Sequence, residues 1–97
     1  MTEIEKQTIE QIAGAAIATA ESTALLIQML VRTKTFTPAQ AALALSDLAG
    51  HINDLAKKNA HLPGQAQIFK VVANRYQQYQ DALEKETGAK ASLNALK

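Results

Sequence analysis

Apolar residues recur along the first third of the chain in steps of three and four. Ala13, Ile17, Ala20, Ala24, Ile27 and Val31 form one stripe, with Ile9, Ile12, Ala16, Leu26 and Leu30 beside it. This is the period of an α-helix with one broad buried face. The opposite stripe, Gln7, Gln11, Gly14, Ala18, Glu21, Leu25 and Gln28, is polar or small until Leu25. The pattern predicts a helix over about residues 3–32. Thr2 stands at the N-cap position and Glu5, three residues on, suits a capping box. Glu3 and Glu5 complement the positive end of the helix dipole, and Arg32 and Lys34 the negative end.

Phe36-Thr37-Pro38-Ala39-Gln40 is the clearest local signal. Thr37 caps, Pro38 takes the first helical position, Gln40 closes a capping box, and Phe36 is placed to staple against Ala41. A second helix follows to about residue 60, with the stripe Ala41, Leu45, Leu48, Ile52 and Leu55. Ala42, Ala49 and Ala56 flank that stripe, and Leu43 falls on the solvent side among Asp47, Gly50 and Asp54. His61-Leu62-Pro63-Gly64 breaks the helix, since a residue before proline avoids the helical conformation. The third helix covers 63–87 with the stripe Phe69, Val72, Tyr76, Tyr79 and Leu83, and Gly88 ends it. Its glutamines read as solvated surface. Residues 89–97 keep Leu93 and Leu96 but are too few for a helix that stands alone.

Short connections favour antiparallel neighbours. The expected fold is therefore all-α: an antiparallel up-down-up three-helix bundle in one domain, 1–88, with a C-terminal tail, 89–97. The first helix would be about 45 Å long, and its companions roughly 35 and 38 Å. The segment Ala24–Val31 carries one polar residue, Gln28. Two helices on one side cannot cover it all, so a second copy of the chain is expected to complete the fold.

Composition agrees with a small packed domain whose core is short of bulk. Of 97 residues, 47% are hydrophobic but 4% are aromatic, so close backbone approach must do much of the packing. Gly14 with Ala18, and Ala16, Ala20 and Ala24, are small residues at the spacing that allows it. Ile12–Val31 has the length of a membrane span. Glu21 stands at its centre beside Thr19, Ser22 and Thr23, and alanine gives little insertion energy, so a buried soluble helix is the expectation. The acidic N-terminus, with no continuous apolar run after it, does not read as a secretory signal.

Candidate chemistry narrows quickly. Without cysteine there is no disulfide, zinc–thiolate site or thiol nucleophile. His51 and His61 are ten residues apart, about 15 Å along a helix, and cannot share an ion. No cofactor or metal is called for. A formal charge of +1 does not point to nucleic acid. A nucleic-acid reading would use Lys57, Lys58, Lys70 and Arg75, where Asp54 and several glutamines dilute the charge. In length and helix order the chain resembles the all-helical chorismate mutases, which implies a small helical-bundle enzyme. That family holds a dicarboxylate with arginines and a lysine, whereas this first helix has Lys6 alone before Arg32, and no residue carries over.

The expectation is a small, cytoplasmic, non-enzymatic protein-interaction module: an adaptor, regulator or inhibitor acting as a homodimer on a protein partner not identified by the sequence. Its candidate surface is Leu25, Met29, Arg32 and Phe36 at the end of helix one, Leu43 on helix two, and Arg75, Tyr76 and Tyr79 on helix three. Glu21 is expected at the stripe's edge. Arg75 either snorkels past the tyrosines or pairs with Glu21 or Asp47.

Overall fold

The computed structural model describes residues 2–88, apart from the side chain of Ile9. The expectations for the tail and for Ile9 lie outside the described residues. Three α-helices and no strand are found among those described: α1, Glu3–Arg32; α2, Pro38–Lys58; and α3, Pro63–Thr87.

The helix ends follow from local chemistry. The Thr2 hydroxyl accepts from the Glu5 amide at 3.1 Å, the first half of the expected capping box. At α2 the box is complete: the Gln40 amide donates to Thr37 Oγ1 at 3.1 Å, and the Thr37 amide donates to Gln40 Oε1 at 2.9 Å. α1 ends in a Schellman motif that the sequence does not advertise. Thr35 N–H reaches the Leu30 carbonyl at 2.9 Å and Lys34 N–H the Val31 carbonyl at 3.0 Å. This requires a left-handed residue, and Lys34, with φ 62°, takes the place glycine usually fills. α2 stops at Lys58 rather than residue 60, because Asn59 turns back: its side-chain amide donates to the Leu55 carbonyl at 2.8 Å. Gly88, with φ 74°, closes α3 by donating to the Glu84 carbonyl at 2.8 Å.

α2 and α3 pack most extensively on each other, α1 less on α3 and least on α2. The core joins Ala20 and Ile27 of α1, Ala41, Leu45 and Ala49 of α2, and Val72 and Tyr76 of α3. Four of those side chains are alanine or valine, which lets the helices approach closely and leaves room for one large ring. Phe36 is half-buried against this cluster, where a staple belongs. The radius of gyration is 15.2 Å, against about 12.5 Å for a compact chain of this length. The long axis, 49 Å, matches the length of α1 alone.

Four expectations are corrected. Ile12 and Leu26 are exposed rather than part of the buried face of α1, because α3 covers a narrower stripe than the apolar pattern offers. Leu43 is buried, not on the solvent side. Ala41 and Ala42 beside it are fully buried, so at its first turns α2 is enclosed over a wider arc than its apolar stripe. Tyr76 is buried, being the ring that fills the space left by Ala20, Ala41 and Ala49. Gln80 is buried too, although the glutamines of α3 read as solvated. Its Nε2 donates to Glu84 Oε1 at 3.1 Å, while its Oε1 has no hydrogen-bond partner among the described residues.

Candidate functional site

The largest anomaly of the surface is α1. Ile4 is 77% exposed, Ile12 52%, Leu25 54%, Leu26 57% and Met29 52%. Large apolar side chains scattered singly are ordinary. These five share one side of one helix, which is not ordinary. By length and composition α1 could cross a membrane, and 17% of its most apolar window is buried. As expected for the segment Ala24–Val31, its two companion helices leave Leu25, Leu26 and Met29 uncovered.

The exposed side has a regular order. Ile4, Thr8, Gln11, Ala15, Ala18, Ser22, Leu25 and Met29 stand alternately four and three residues apart, and every one is exposed. That is the spacing of a helix–helix seam. Ile12 and Leu26 lie on one flank. Thr8, Thr19 and Ser22 do not leave their hydroxyls to water: each donates to the carbonyl four residues back, Ile4, Ala15 and Ala18, at 2.9 to 3.0 Å. A hydroxyl satisfied by its own helix can be covered without losing its hydrogen bond. Gly14, beside the stripe, has open space around it, with nothing within 4 Å of where a Cβ would sit.

A second feature is a groove of about 230 Å³ where the ends of α1 and α3 meet. Ile27, Val31, Leu45 and Leu83 line it together with Arg32, Tyr79 and Glu86. Arg32 is exposed there and Tyr79 half-buried. Arg75 meets Glu21, Nη1 to Oε1 at 3.5 Å, so of its two possible carboxylate partners it takes the one on α1. Both side chains remain substantially exposed, 36% and 53%.

The sequence-predicted residues thus divide. Leu25 and Met29 sit together on the outer side of α1; Arg32 and Tyr79 share the groove; Phe36 and Tyr76 belong to the core and its edge; Leu43 is enclosed; Arg75 is held by Glu21. Ile4, Ile12 and Leu26 are absent from the predicted surface. The alternating four-and-three order through Ala15 and Ala18 was the signal that could have found the stripe they extend.

Lys57 and Lys70 come together beside Ala56, Pro63 and Ala66 in a cleft of about 380 Å³. Arg75 is not with them, being held at Glu21. Among the described residues, no group of three or more His, Asp or Glu is close enough to hold a metal ion. Comparison with models of protein families, with curated proteins and with solved structures gives no match.

Proposed function

We propose that this chain is a small, non-enzymatic helical module that acts by binding another protein chain, as an adaptor, regulator or inhibitor in the cytoplasm. The proposal includes an up-down-up order of the three helices and completion of the bundle by homodimerisation. One observation supports it above all: five large apolar side chains stand exposed along one side of α1. At about 25 cal/mol per Å² of apolar surface, leaving such a side wet forgoes several kcal/mol that a partner would recover. The groove at Arg32 and Tyr79 adjoins the end of that side and extends the surface available.

Leu25→Glu and Met29→Glu place charge on the surface without entering the core, since both positions are about half exposed. Affinity capture from a cell extract on the immobilised chain should lose its specific partner with either variant, while far-ultraviolet circular dichroism stays unchanged. Capture that survives both substitutions in a folded chain would move the binding surface elsewhere.

A further inference from the structure

We infer that the exposed side of α1 pairs with α1 of a second copy of this chain, in the antiparallel direction, with Ile4 opposite Met29 and Ala15 opposite Ala18. The inference rests on the reading of that side as a binding surface and names what covers it.

Spacing sets the register, and two observations choose the occupant. In an antiparallel pair, residues that meet across the seam have sequence numbers of constant sum. Centred on the exposed four-and-three series, Ile4 meets Met29, Thr8 meets Leu25, Gln11 meets Ser22, and Ala15 meets Ala18. Large side chains stand at the ends of this series and small ones at its centre, so two such helices can lie close along their length in either direction, and the direction is set by charge.

The first observation is charge. The first turns of α1 carry Glu3, Glu5 and Glu10 with Lys6, and the far end carries Arg32 and Lys34. In the antiparallel register Glu3 is level with Leu30 of the second copy, about 3 Å along the axis from Arg32. A parallel pair would set the acidic ends side by side, and the basic ends likewise. The helix dipoles also oppose each other favourably when reversed. Exposed ion pairs contribute little to affinity, so these charges select the direction rather than the strength.

The second observation is polar satisfaction. Thr8 and Ser22 lie in the seam, and both hydroxyls are already bonded to their own helix. Gln11 is the seam residue whose amide needs something more, and the register sets it against Ser22, whose oxygen can accept from it. A lipid surface would offer Gln11 nothing of the kind at that depth. A seam one helix wide falls at the low end of interface sizes, so the dimer is expected to be reversible in the micromolar range.

Cysteine cross-linking reads the register directly, because the chain has no cysteine of its own. Ile4→Cys and Met29→Cys are made as separate variants of the full chain, each at an exposed position. Mild oxidation of their equimolar mixture should give the mixed dimer about tenfold or more above either variant alone, because a disulfide needs Cα atoms within about 7 Å. Within either variant alone, the two cysteines would stand about 37 Å apart in the antiparallel pair. Sedimentation of the unsubstituted chain up to high micromolar concentration accompanies this.

Self-linking of each variant without mixed product would mean a parallel pair and overturn the inference. A dimer that links in no combination would place the interface on another face, with the same consequence. A monomer at every concentration would remove the second copy altogether; the capture experiment above would then still decide whether a different protein binds. Flotation of a monomeric chain with vesicles of phosphatidylcholine and phosphatidylglycerol would make lipid the occupant, and would overturn it too.

Discussion

The α2–α3 pair and the N-terminal half of α1 are made of much the same residues, yet one is packed and the other is bare. In the pair, Ala41, Ala42, Ala49, Ala56 and Ala73 are all buried. In α1, Ala15 and Ala18 are exposed, and so are Ile4 and Ile12. Helical period and apolar content are comparable in the two regions. What differs is whether a second helix stands opposite. α3 lies along α2, while α1 finds cover mainly from Ala20 onward. An apolar stripe therefore reports where a helix can be buried, and the count of helices reports how many stripes can be.

Leucine removal on the two sides is the sharpest way to break this comparison. Leu45 is almost fully buried in the shared core. Leu45→Ala should cost about 3 kcal/mol in urea denaturation followed by circular dichroism, through lost transfer energy and the cavity left behind. Leu25→Ala removes the same atoms from a half-exposed position. In dilute solution it should change stability by under about 0.5 kcal/mol. At concentrations where a partner covers α1, the Leu25→Ala cost should grow and the Leu45→Ala cost should not. Equal costs at low concentration would show that the bare side is not bare.

A smaller effect sharpens the packed side. Gln80 is buried with an acceptor oxygen that finds no partner among the described residues. Such an acceptor forfeits its hydration without replacement. Gln80→Met keeps the length of the side chain and removes that oxygen, at the cost of the bond to Glu84. The expected outcome is a gain of about 1 kcal/mol, because the unpaired acceptor costs more than a solvent-reachable bond contributes. A loss of stability would show that the bond to Glu84 outweighs the unpaired oxygen.

Helix existence and most boundaries were legible because they depend on neighbours in sequence. Thr37, Pro38 and Gln40 specify the start of α2 by themselves, and both hydrogen bonds of the box form as read. Tyr76 was legible as a member of the α3 stripe. Leu43 and Gln80 were not, because the helical pattern puts both on the solvent side and their burial depends on how the three helices come together. The Schellman end at Lys34 is hidden for another reason: glycine is the usual sequence signal of the motif, and here a lysine adopts the left-handed conformation. For the candidate surface, Leu25 and Met29 stood out as misplaced apolar residues. Ile12 and Leu26 were assigned to the core because the apolar arc is wider than the one helix that covers it.

The smallest effect concerns the link between the two regions. Glu21 of α1 and Arg75 of α3 meet at 3.5 Å with both side chains substantially exposed. Water screens such a pair, and two long side chains lose rotamer freedom to hold it. A double-mutant cycle with Glu21→Gln and Arg75→Gln should give a coupling under about 0.5 kcal/mol, reduced further by high salt. Glutamine at both positions preserves stem packing, so the cycle isolates the charges. If the coupling is that small, α1 is held on α3 by Ala20, Ile27 and their apolar neighbours, and its bare half is free to open another face without a charge to break. A coupling above about 1 kcal/mol would instead make the ion pair a register lock between the regions, and the orientation of the exposed side would then depend on it.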